Sequence, residues 1–222
     1  ITKKYKSLKE AAKCDVLYWL GDNKIASQKP LLTNAVAQGG KPAKAAIEAL
    51  GKIGGEDAEK VLIDQLGGEN NAEAFRALCS FPGKLNLTEA LNSAEGDKKL
   101  SLLKLASARR CTEAADDILK LANDKTYGQA AIDALPGIVT PKQKYAAISV
   151  LVTTKNEQDV AKWQKICASA LQTLSAEEQY KELSQFTSQP LVPNRERLFP
   201  LLAATGTDAS VKELEKINDK AA

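Results

Sequence analysis

The stretch PAKAAIEALGKIGGEDAEKVLIDQL, Pro42–Leu66, holds two short amphipathic segments and a glycine corner. In the first segment Ala43, Ala46, Ile47, Leu50 and Ile53 fall at i, i+3, i+4, i+7 and i+10. That is one apolar stripe at helical period, with Lys44, Glu48 and Lys52 on the other side. Pro42 suits a first helical turn, where its missing N–H leaves nothing unpaired. Gly54-Gly55 supply the positive φ that a helix C-terminus requires, and Glu56-Asp57 place negative charge at the start of the next helix. The second segment carries Ala58, Val61, Leu62 and Leu66 on one face. Neither helix is long enough to persist alone in water, and two of them bury one thin layer, so the pair has to stack on similar pairs.

Similar pairs recur along the chain. The pattern of an apolar-Ala-Leu run, a small corner, an acidic or Ser/Thr start and a second apolar helix can be aligned on Leu20, Leu50, Leu78, Leu105, Leu135, Leu171 and Leu202. The intervals are 30, 28, 27, 30, 36 and 31 residues. A period drifting near thirty, with helix–turn–helix content in each copy, points to an α-solenoid rather than one closed core.

AIEALGKIGGEDAEKVLIDQL resembles a HEAT repeat of the short bacterial kind found also in phycobilin-lyase-type proteins, whose Ala-Leu-Gly is followed by a Gly and acidic corner. The resemblance is close in the second copy, partial in the first, fourth and fifth, and weak in the others. It implies an all-α, right-handed α-α superhelix of about seven helix pairs, with first helices convex and second helices concave. The expected domain is a single one, 1–222, with repeats near 8–38, 41–69, 71–96, 98–124, 127–154, 156–188 and 194–220. The tetratricopeptide pattern fits worse, because Trp19-Leu20-Gly21 occurs once.

Local signals refine this register. Ile1–Lys9 reads as a Lys-rich, solvated lead-in to a first helix over Leu8–Leu20. Ser27 is placed to cap the next helix, with Pro30 in its first turn, and Gln38-Gly39-Gly40 ends it. Asn86 with Glu89, Thr140 with Gln143, and Ser175 with Glu178 stand at capping-box spacing. Asn156–Leu174 reads as a longer helix carrying Val160, Trp163, Ile166, Cys167 and Leu171. SQPLVPN, 188–194, reads as a rigid connector; Arg195–Ala203 forms a helix kinked by Pro200, and Thr207–Ile217 a charged terminal one with Val211, Leu214 and Ile217 inward. Trp19 and Trp163 both fit apolar stripes of first helices.

Chemistry is scarce. The chain has no His, which removes imidazole bases and His-containing zinc sites. Cys14, Cys79, Cys111 and Cys167 form no C-x-x-C pair; the first two and the last read as small packed thiols, and only Cys79 with Cys111 could form a disulfide. Cys111 follows Arg109-Arg110 near a helix start, a setting that can lower a thiol pKa, but ordinary packing at the corner is the preferred reading. The glycines spell no phosphate loop, and Asp116-Asp117 reads as a solvated face. A net charge of +3 is too slight to imply a polyanion, and no apolar run is long enough for a membrane span. No cofactor is expected. The chain opens on Ile1 rather than Met, which points to processing or excision: an extracytoplasmic location follows if a signal segment was removed, a cytoplasmic one otherwise.

The surface is therefore where function is expected. Outward positions of the second helices include Lys60, Asp64, Glu89, Asn92, Asp116, Asp117, Lys120, Lys142, Lys144, Glu178 and Lys181, a face of alternating sign. Such a face suits docking of another protein, or of another domain of the same precursor, by a non-catalytic scaffold. An accessory role beside a secreted bacterial sugar-hydrolase-like domain is the alternative. A third, an alkylation-repair DNA glycosylase of HEAT-like build, would need a basic stripe that the alternating signs do not provide.

Overall fold

The computed structural model describes Thr2–Ala221, with side chains from Lys4 to Ile217, and the described residues are helical with no strand. Two compact units are present, the first reaching Asp117 and the second starting at Ile118, a boundary inside the helix Ala115–Leu121.

In the first unit the helices are α1 (Thr2–Tyr5), α2 (Glu10–Asp22), α3 (Lys29–Gln38), α4 (Gly40–Ile53), α5 (Glu56–Asp64), α6 (Asn71–Cys79), α7 (Thr88–Ser93) and α8 (Gly96–Arg109). Helix α2 packs on α4, α4 on α6 and α6 on α8, while α3 lies against α4 and α5. Being flanked on both sides, α4 buries more than its predicted stripe: Ala45, Ala49 and Gly51 are enclosed along with Ala43, Ala46, Ile47 and Leu50. The α2–α4 approach is closest at Gly21, where a Cβ would stand 2.6 Å from the Cα of Ala49. Ion pairs tie elements about one repeat apart: Asp22 to Lys52 at 2.8 Å, Lys44 to Glu73 at 2.9 Å and Asp64 to Lys98 at 2.9 Å.

The second unit comprises the end of α9 (Ala115–Leu121), then α10 (Gly128–Ala134), α11 (Lys144–Thr153), α12 (Val160–Leu171), α13 (Ala176–Thr187), α14 (Phe199–Ala204) and α15 (Asp208–Ala221). Helix α11 packs on α12, and α13 on α14. Both later capping boxes form: Thr140 with Gln143 and Ser175 with Glu178 exchange hydrogen bonds with each other's backbone N–H. The 188–194 connector is pinned by side chains. Asn194 donates to the Val152 carbonyl at 2.9 Å, and Arg195 donates to that of Thr187 at 2.7 Å. At its tip Leu191 is 96% exposed.

Several local expectations are corrected. Ser27 lies within a 3-10 turn, Ala26–Gln28, and α3 has no side-chain cap. Asn86 caps nothing either: α7 starts at Thr88, and the Asn86 backbone N–H is taken by the Glu59 carboxylate, 2.7 Å away on α5. The helix expected from Asn156 begins as a 3-10 turn, Glu157–Asp159, with the Asn156 side chain accepting from the Gln158 N–H. Pro200 stands in the first turn of α14 after a 3-10 segment, Arg195–Leu198, so the bend is a change of helix type. The lead-in is not merely solvated, because Tyr5 is only 5% exposed. Val211 faces outward, and Trp19 is 54% exposed whereas Trp163 is 2% exposed.

Candidate functional site

Helices α5, α7 and α8 enclose a groove of about 630 Å³ in the first unit, and it gathers Lys60, Asp64 and Glu89 from the predicted surface. Gly54 and Gly55, at φ of 74° and 93°, turn the chain between α4 and α5, so that α5 presents Glu56, Glu59, Lys60 and Asp64 to the groove while Ala58 and Leu62 face the core. The Pro82-Gly83 corner returns the chain to α7, which adds Glu89 and Ala90; α8 adds Lys98. The carboxylates of Glu56, Glu59, Asp64 and Glu89 face two ammonium groups, an excess of negative charge.

Each charge has a distinct surrounding. Glu56 and Lys60 pair at 2.8 Å one turn apart, and this hydrogen bond lowers the Glu56 pKa and raises that of Lys60, to which Glu89 adds a weaker pull. Asp64 is held by Lys98, and Glu59 by the Asn86 N–H. Both ion pairs stand in solvent and contribute little to stability. Beneath them Ile63 is buried, offering a small apolar floor beside Ala90.

The other predicted residues lie elsewhere. Asn92 is on α7, exposed but outside the groove lining. Asp116 and Lys120 are exposed on α9, with Asp117 half-buried. Lys142 is exposed; Lys144, half-buried, pairs with Glu182 at 3.4 Å and sits 4.6 Å above the Tyr145 ring. Glu178 is occupied by its capping box, and Lys181 is exposed on α13. Sequence reading does not single out Lys98, whose only signal is its place in the repeat phase. It places Glu59 outward on its helix and Asn86 at a cap; that Glu59 reaches Asn86 depends on how α5 meets the next corner.

The thiols are all free. Cys111 is packed at its corner rather than activated: its pKa is raised, first by burial and then by Glu113, while Arg109 pulls weakly the other way. The Arg109 guanidinium is committed to backbone carbonyls instead, those of Cys79 at 2.8 Å, Phe81 at 3.0 Å and Gly83 at 2.6 Å. It thus satisfies acceptors at the end of α6 that the helix itself leaves open. Cys167, enclosed in α12, is pushed up to about 12 by burial. Burial thus keeps this group a thiol rather than the reactive thiolate. Timed alkylation with iodoacetamide, followed by peptide mass spectrometry, is expected to modify half-buried Cys14 and Cys79 first and Cys167 last, with Cys167 reacting promptly once denaturant is added.

Among the described residues no cluster of three His, Cys, Asp or Glu side chains is arranged to hold a metal ion, and no helix is long and apolar enough to cross a membrane. No family model, curated protein or solved structure matches this chain.

Proposed function

We propose that this chain is a non-catalytic docking module: a HEAT-like, right-handed superhelix of about seven helix pairs whose second helices receive a segment of another protein, or of another domain of the same precursor. The observation that carries the reading is the α5–α7–α8 groove, where three of the residues selected from the repeat phase converge. Its size lies within the range of ligand clefts, roughly 300–1,000 Å³. Its charge excess selects an extended, lysine- or arginine-bearing segment, with a small apolar side chain against Ile63 and Ala90. Support for the repeat build comes from the two leading-helix contacts at Gly21–Ala49 and Gly51–Ala77, spaced by about one repeat.

A labelled peptide of alternating Lys and Ala tests the groove by fluorescence anisotropy. Binding is expected at low salt, with a loss of about tenfold in the Asp64→Lys/Glu89→Lys variant, since each reversal removes an attraction and adds a repulsion. Equal affinity in the variant would remove the groove from the reading. Solution scattering tests the superhelix separately, because a stacked array gives an elongated particle.

A further inference from the structure

A second groove in the first unit has the opposite character. Of about 670 Å³, it lies among the lead-in, α2 and α3, and its polar lining consists of Tyr5, Lys6, Lys13, Ser27, Gln28, Asn34 and Gln38. No carboxylate lines it. Neither Lys6 nor Lys13 makes an ion pair among the described residues. Leu31 and Ala35 close the floor, both buried.

Tyr5 explains how the basic lead-in comes to line a groove. Its ring is buried in the wall, with the Lys13 ammonium 5.8 Å from the ring centre, and so anchors the following Lys6 on the same cleft. The Tyr5 hydroxyl is enclosed, with no hydrogen-bond partner among the described residues.

We infer that this groove binds a short acidic segment, bearing Asp or Glu, of a partner protein. Carboxylates meet Lys6 and Lys13, the two cations of the lining. The amides of Gln28, Asn34 and Gln38 offer donors and acceptors suited to a peptide backbone. A nucleic acid strand fits less well: the ring in the groove is buried and gives no stacking platform, and two lysines neutralise few phosphates. The site is separate from the acidic groove and its occupant is of opposite charge, so the two stand or fall independently.

The test uses the full chain and a labelled octapeptide of alternating Glu and Ser, with the Gln-Ser peptide as control. Anisotropy is expected to show binding of the Glu peptide that weakens with salt. A loss of about tenfold is expected in Lys6→Gln/Lys13→Gln and a larger one in Lys6→Glu/Lys13→Glu. Circular dichroism melts identify any variant that fails to fold, and the milder glutamine pair keeps the comparison available. Removal of two exposed lysines outside the groove, Lys155→Gln/Lys212→Gln, is expected to leave binding unchanged. No binding of the Glu peptide, equal binding of the Gln peptide, or unchanged affinity in the folded lysine variants overturns the inference. So does duplex DNA that displaces the peptide and depends on the same lysines, which would assign the groove to nucleic acid.

Discussion

Replacing Gly51 by Val is expected to destabilise the first unit by about 3 kcal/mol, the upper end of the cost of overpacking. A Cβ at Gly51 would stand 2.8 Å from the Cβ of Ala77, 3.2 Å from its Cα and 3.3 Å from its carbonyl oxygen. Nothing flexible lies in that direction. The obstacle is the α6 backbone and its shortest side chain, so relief requires α4 and α6 to move apart, and α4 is also held against α2 and α3. Two terms compete for Gly51→Ala, and their magnitudes decide the sign. Helix propensity favours Ala over Gly by about 1 kcal/mol, while overpacking costs about 1–3 kcal/mol, so a net loss of up to about 2 kcal/mol is expected. Valine adds two further methyl groups to the same gap and is a poorer helix former, so no term offsets the clash. The midpoint of thermal unfolding should fall by roughly 10 °C for Gly51→Val in a unit of this size. Adding Ala77→Gly should recover much of the Gly51→Ala loss, because it removes the atom in conflict; a double-mutant cycle showing simple additivity would mean that the helices separate freely at this point.

That contact also shows what the sequence discloses and what it withholds. Trp19-Leu20-Gly21 and Ala49-Leu50-Gly51 place a glycine directly after the anchor leucine, and at both positions the structure has a close helix crossing. In the next copy the corresponding residue is Cys79, half-buried. Period and glycine placement are local properties, and so are the capping boxes at Thr140 and Ser175, whose partners lie three residues away. The misreadings concern partners distant in sequence. Asn86 has cap spacing to Glu89, but its backbone N–H goes to Glu59, 27 residues away. Arg109 is adjacent to Cys111 in the broad sense of charge, yet its geometry is fixed by carbonyls 26 to 30 residues away. Trp19 lies on α2, whose buried face is Leu17, Leu20 and Gly21, and apolar character alone does not say whether a neighbour covers a side chain. Of the candidate surface, Lys60, Asp64 and Glu89 converge because α5 and α7, separated in the chain by α6, are the trailing helices of consecutive copies; Lys142, Lys144, Glu178 and Lys181 follow other corners, and repeat phase alone could not rank them.

Trp163 should be the most costly side chain to remove from the second unit. It lies on α12, 2% exposed, and shares the lining of a cavity with Ile132 and Val150 from α10 and α11. Truncation to Ala removes an indole from an enclosed site, for which about 3–5 kcal/mol is the usual cost. The neighbours named are branched side chains on helices, which have little freedom to collapse into the space. Trp163→Phe keeps an aromatic ring and should lose about half as much. Trp19 is the internal control: half-exposed on α2, it should lose under 1 kcal/mol on replacement by Ala, in line with surface substitutions generally. The two residues are the only tryptophans in the chain, so fluorescence reports on each separately in single-tryptophan variants. With Trp19→Phe the remaining emission should be blue-shifted and poorly quenched by iodide; with Trp163→Phe it should be red-shifted and readily quenched. Urea titration of Trp163→Ala followed by circular dichroism then measures the loss directly. A change below about 1 kcal/mol would mean that the indole is not enclosed by α10, α11 and α12, and with it the packing of the second unit would need to be redrawn.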